Sequence, residues 1–163
     1  MFRSIAGRVR QVAFYLVGRA DAGDERWAEA LLNPAQRELF QALARPDRAH
    51  ALRVARRLEA RGAPAYVLEA ALLHDAGKPA DFGLPGRVLG VLLAGRAATL
   101  PAAPPLAGLD RQLQIYRWHE AWGLAAAERA GTSLAALALL RAALGEPGED
   151  AWLAALEAAD DAG

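Results

Sequence analysis

A histidine and an aspartate, His74-Asp75, close the apolar run Leu72-Leu73, and Ala76-Gly77-Lys78 follow directly. An imidazole and a carboxylate are costly to bury without partners. Aimed together at one cation, they become ligands instead. Lys78, the only lysine in the chain, stands one helical turn past His74, where it can steady the negative charge of a phosphoryl group. Other residues of suitable chemistry are few. The histidines are His50, His74 and His119, serine occurs only at Ser4 and Ser133, and cysteine is absent. Disulfides, thiolate metal sites and a cysteine nucleophile are therefore excluded, and a serine nucleophile has little room. The lack of cysteine fits a reducing, cytoplasmic setting. No P-loop, dinucleotide fingerprint or Gly-x-Ser-x-Gly elbow is present.

For these side chains to meet, helices must carry them inward. The hydrophobic fraction is 54%, much of it alanine and leucine, while strand-forming residues are comparatively few. The expected fold class is all-α, a single compact bundle of about seven or eight helices. Its 163 residues suffice for one hydrophobic core. Residues 1–44 are expected to supply N-terminal helices that pack on a domain spanning 45–163, the whole forming one structural unit.

Periodicity predicts a first helix over Phe2–Gly18, a loop at Asp21–Asp24, a short helix over Glu25–Leu32, and a third capped by Asn33 with Pro34 in its first turn. Asp47 then caps a helix over Arg48–Arg61, on which His50, Val54 and Leu58 share one stripe. Pro64 opens the next, which runs into the doublet. His74 follows Ala71 and Val67 at helical spacing, and Asp75 follows Leu72 and Leu68, so both side chains continue the buried face until Gly77 breaks the helix. A short apolar helix over Leu84–Ala94 and a proline-rich connection over Thr99–Gly108 lead to a long helix from Asp110 to near Gly131, which carries His119. Thr132 or Ser133 caps an alanine-leucine helix, and a last helix covers Asp150–Asp160. There Leu153, Leu156 and Asp160 align at i, i+3 and i+7, which selects Asp160 rather than Asp161 as the inward carboxylate.

Charge bears on partners. The formal net charge is +0 and the isoelectric point about 6.8. No long-range field recruits nucleic acid or an anionic membrane. The longest apolar runs, such as Val88–Ala94, are far too short to span a bilayer. Phe2–Gly18 lacks a cleavage site and reads as a helix packed on the domain rather than as a signal peptide or membrane anchor.

Inward-facing histidine and aspartate on different helices suit one divalent ion: Mn, Fe, Co, Ni or Zn, with Mg less natural beside two nitrogens. Such an ion acidifies water and supplies a nucleophile near neutral pH. Taken alone, the doublet reads as a satisfied structural pair rather than as a metal site.

Three stretches together resemble the HD superfamily of metal-dependent phosphohydrolases. They are Arg48-Ala49-His50-Ala51-Leu52-Arg53-Val54-Ala55, Ala70-Ala71-Leu72-Leu73-His74-Asp75-Ala76-Gly77-Lys78 and Glu157-Ala158-Ala159-Asp160. The resemblance covers residues 45–160 and implies an all-α fold with the doublet near its centre. It implies the metal ligands His50, His74, Asp75 and Asp160, and a catalytic set of Asp75, Lys78 and His119. Lys78 and His119 would hold the phosphate of a nucleotide or another small phosphorylated molecule while water attacks phosphorus. His119 lies in Arg117-Trp118-His119-Glu120-Ala121-Trp122-Gly123, where many members carry a further histidine; read without the family, it is a polar tip between two tryptophans. Many relatives also place a histidine at the end of the following helix, but Leu140–Gly145 holds none, which implies one ion rather than two. The same departure leaves open a degenerate domain that regulates or binds a ligand without catalysis. Asp81 is the nearest carboxylate after the doublet and carries little weight. Asp160 lies three residues from the C-terminus, where chains commonly fray.

Overall fold

The computed structural model describes residues 21–162. The helix expected over Phe2–Gly18 lies outside them. Among the described residues the chain is entirely helical, with no strand. In order, the helices are α1 (Ala22–Leu31), α2 (Pro34–Ala42), α3 (Arg45–Glu59), α4 (Ala65–Leu73), α5 (Leu84–Leu92), α6 (Ala94–Ala97), α7 (Gly108–Arg129), α8 (Leu134–Ala143) and α9 (Leu153–Ala162). The all-α expectation holds.

The centre of the bundle is α4. Of its nine residues, Val67, Leu68, Ala70, Ala71, Leu72 and Leu73 are buried, so it is apolar almost all round. A helix of that kind must be covered on several sides. It packs against α3, α8, α1 and α2. Val54 and Leu58 of α3 are fully buried against it, as the stripe through His50 requires. Helix α9 lies on α3 and α8, and α7 packs against α5, α6 and α8. No helix among the described residues is long and apolar enough to cross a membrane.

Local chemistry sets the boundaries. Asn33 and Gln36 form a capping box at the start of α2, and Ser133 Oγ accepts from the Ala136 amide at the start of α8. Gly62, with φ +77°, turns the chain between α3 and α4. Several boundaries differ from expectation. Residues 22–24 belong to α1 and not to a loop, because Asp21 Oδ1 accepts from the Gly23 amide at 2.7 Å and caps the helix. Asp47 is no cap: α3 begins earlier, at Arg45, with Pro46 in its first turn, and Asp47 is buried inside that turn. The apolar segment after Gly83 stops at Leu92, and a separate short turn of helix, α6, runs through Gly95. Helix α4 ends at Leu73 and does not run through Asp75.

Glycine permits one close approach on which the site depends. A Cβ on Gly77 would collide with the His119 carbonyl oxygen and stand 2.5 Å from the Gly123 amide nitrogen. A Cβ on Gly123 would stand 2.8 Å from the Gly77 nitrogen. The turn that follows the doublet therefore lies directly on the backbone of α7. Gly86 and Gly90, one turn apart on α5, similarly make room for Gln112 and Tyr116 of α7.

Candidate metal centre

His50 enters from the second turn of α3, and His74 occupies the C-cap of α4 with αR dihedrals (φ −56°, ψ −30°). Asp75 follows in a tight turn, closed by hydrogen bonds from the Ala76 amide to the Leu73 carbonyl and from the Lys78 amide to the Asp75 carbonyl, each 2.9 Å. This placement resolves a geometric difficulty. Adjacent residues of a continuous helix point about 100° apart and do not face each other. Ending the helix at Leu73 frees Asp75 to turn toward the same point as His74. One ligand atom from each of His50, His74 and Asp75 lies within 4.8 Å of the others, so the three could hold a metal ion.

Asp160 reaches the same place from α9. Its neighbours Leu156 and Ala159 are buried, whereas Asp161 is exposed, as the spacing predicts. Asp160 Oδ1 stands 2.7 Å from His50 Nε2 and 3.5 Å from His74 Nε2. The imidazole rings of His50 and His74 meet edge to face, 5.3 Å between centroids. His74 Nδ1 donates to the Ala71 carbonyl at 2.8 Å, which leaves Nε2 directed at the centre. That nitrogen is buried and makes no hydrogen bond; its nearest charged neighbours are Asp75 Oδ2 and Asp160 Oδ1, both at 3.5 Å. His50, His74 and Asp75 thus form a group that could hold a metal ion, with one imidazole nitrogen oriented by a backbone carbonyl, and the Asp160 carboxylate stands beside both imidazoles.

The charges support one another. Burial disfavours ionised Asp75, yet Lys78, whose Nζ donates to Asp75 Oδ2, and then His74 outweigh it and hold the carboxyl well below its usual range. Burial likewise opposes ionised Asp160, and the contacts with His50 and His74 reverse the balance to give a strongly lowered pKa. Burial would lower the His74 pKa, but Asp75 and Asp160 dominate together and raise it to about 9. In the absence of a metal ion, a proton on His74 therefore balances the two carboxylates. His119 goes the other way: burial, reinforced by Lys78, lowers it to about 4, so it is neutral at pH 7.

The six candidate residues lie in two groups. His50, His74, Asp75 and Asp160 come together, and Lys78 is drawn onto Asp75. His119 lies on α7 within electrostatic reach of Lys78 and Asp75, with Nδ1 donating to the Ile115 and Tyr116 carbonyls at 3.0 and 3.1 Å and the ring packed against Phe82 at 6.2 Å. Asp81 is exposed and paired with Arg111, away from the centre. Two arrangements escaped the sequence reading. Arg57 Nη1 donates to the Ala159 carbonyl at 3.1 Å, pinning the residue before Asp160. Arg87 Nη2 donates to Oδ1 of the buried Asp47. Spacing carried a signal for both: Arg57 follows His50 by seven residues and Asp47 precedes it by three, so each shares its stripe of α3. Comparison with protein-family models, curated proteins and solved structures gives no match.

Proposed function

We propose that the chain is an HD-type, metal-dependent phosphohydrolase acting on a nucleotide or another small phosphate ester. The observation that carries this reading is the grouping of His50, His74 and Asp75 around the unsatisfied Nε2 of His74, with Asp160 of α9 reaching 2.7 Å from His50 Nε2 and 3.5 Å from His74 Nε2. A divalent ion at this place would supply acidified water and polarise a phosphoryl oxygen. The rest is the work of the chain. Asp75 holds Lys78 beside the centre, and in this reading Nζ donates to a phosphate oxygen. His119, neutral and with Nδ1 committed to backbone carbonyls, presents a proton-free Nε2. It is suited to accept a hydrogen bond from water or a protonated phosphate oxygen rather than to donate one.

A second reading is a regulatory or ligand-binding HD domain without catalysis. It is favoured by residues 140–145, where α8 ends in Leu140-Arg141-Ala142-Ala143-Leu144-Gly145 with Leu140 and Ala142 in the core and no histidine to extend the site. Elemental analysis after reconstitution with Mn or Ni, followed by a panel of phosphomonoesters, nucleotides and cyclic dinucleotides, separates the two. Near-stoichiometric metal with turnover, both lost in His74→Ala/Asp75→Ala, is the expected outcome. Metal without turnover on any substrate favours the regulatory reading, and no metal at all sinks both metal-based claims.

A further inference from the structure

The buried Asp47–Arg87 pair has no role in the chemistry described so far, and its cost calls for one. The Asp47 side chain is only 3% exposed. Its Oδ1 accepts from Arg87, but Oδ2 is buried with no hydrogen-bond partner among the described residues. A buried carboxylate satisfied on one oxygen stabilises little and often less than an apolar pair of the same size. Its position is informative. Asp47 precedes His50 by three residues on α3, so it lies about one helical turn, ~5 Å, along the same face from His50, and it holds the Arg87 guanidinium there. Arg87 also sits over the Phe82 ring, 5.4 Å from its centroid, and that ring also packs against His119. His50, Asp47, Arg87, Phe82, His119 and Lys78 thus follow one another as neighbours around the centre. The Arg87 side chain remains 27% exposed on this wall.

We propose that Arg87, held by Asp47, is the contact for a second anionic group of the ligand, so that the site takes organic diphosphates in preference to simple monoesters. The inference rests on the phosphohydrolase reading for the position of the first phosphate. Lys78 and His119 face that phosphate, while Arg87 is set apart from His119 by the Phe82 ring and from His50 by a helical turn. With the Phe82 ring between Arg87 and His119, an anion that reaches both sides needs a longer span than one phosphate, which two linked phosphates offer. Asp47 acts as a positioning residue: it fixes the guanidinium plane and offsets its charge until a ligand anion arrives.

The test uses the full chain in EDTA, titrated with inorganic phosphate and with pyrophosphate and followed by ¹⁵N resonances of the arginine side chains, which report binding even in the millimolar range. Pyrophosphate should bind about tenfold more tightly than phosphate and shift the Arg87 resonance, in keeping with one added charge-assisted contact. Arg87→Gln should erase the preference and leave phosphate binding unchanged. The paired variant Asp47→Asn/Arg87→Gln should do the same without a lone buried carboxylate, which covers the case in which the single variant fails to fold. Equal binding of the two anions by wild type, or equal weakening of both in the variants, overturns the inference. Turnover of p-nitrophenyl phosphate by Mn-loaded wild type tests the parent reading separately. If turnover is absent but the Arg87-dependent preference stands, only the phosphohydrolase reading falls.

Discussion

Removing Arg57 should loosen Asp160 without touching it. The carbonyl of Ala159 is among the last four of α9, which have no partner within the helix. Arg57 Nη1 satisfies it from α3 at 3.1 Å, and its positive charge lies where the helix dipole is negative. A hydrogen bond from a charged donor contributes about 1.5–3 kcal/mol when well buried. Here the side chain is half-buried, and about 1 kcal/mol is the appropriate scale, given the range for cations at helix ends. In Arg57→Ala the docked last turn of α9 should lose that much relative to the opened turn. Amide exchange over residues 157–162 should quicken about fivefold, and divalent-metal affinity measured by calorimetry should fall by about three- to tenfold. Arg57 also lies in the last turn of α3, so the substitution removes a favourable charge there as well. Arg56→Ala is the control, since Arg56 occupies the same turn but contacts Asp24 and Glu59 and not α9. It should leave exchange in α9 and metal affinity unchanged. If Arg57→Ala behaves like Arg56→Ala, Asp160 is held by His50 and by the packing of Leu156 and Ala159, and the tether is incidental.

Other outcomes follow from the same geometry. The His74 pKa, raised to about 9 from an ordinary 6.5, stabilises the metal-free fold fully below pH 6.5, and that contribution is lost as pH rises through 9. The lowered pKa values of Asp75 and Asp160 act oppositely, contributing above about pH 4 and fading as the solution is acidified. Chemical denaturation in EDTA should therefore show the site contributing most between about pH 4 and 6.5. A metal must displace the His74 proton, so its affinity should rise about tenfold per pH unit between pH 6.5 and 9, and a flat profile would contradict the protonated His74. Gly77→Ala forces the turn off the α7 backbone and should cost at least about 2 kcal/mol of stability by urea melt, with loss of the Lys78 position. His119→Phe keeps the packing against Phe82 and should leave metal affinity within about twofold of wild type while slowing turnover by the ~10²-fold expected of a lost proton acceptor. A comparable loss of metal would place His119 among the ligands instead.

The sequence carried the inward stripe of α3, the Asn33 cap, a cap at Thr132 or Ser133 and the choice of Asp160 over Asp161, because each depends only on spacing within one helix or on a local hydrogen bond. Pairing across helices was not legible. Asp47 looked like a cap because aspartate before a helix usually is one, and only the earlier start at Arg45 together with Arg87 arriving from α5 turns it into a buried ion pair. Arg57 was one arginine among many, and its partner is a backbone carbonyl, which has no side-chain identity to detect.

The doublet shows the same limit more sharply. Helical periodicity assigns both His74 and Asp75 to a buried face, which is correct as to burial. On an uninterrupted helix, however, two successive side chains leave the axis about 100° apart. Here the helix stops at Leu73, ahead of both, and the following turn is pressed onto α7, and both features rest on residues other than the doublet. Leu72 and Leu73 anchor the end of α4 in the core. Gly77 and Gly123 let the turn lie on α7 so closely that any side chain at Gly77 would displace it. The two glycines thus do for Asp75 what the Ala71 carbonyl does for His74, fixing the direction in which a ligand points. A substitution at Gly123 should therefore weaken a bound metal while all four candidate ligands stay in place.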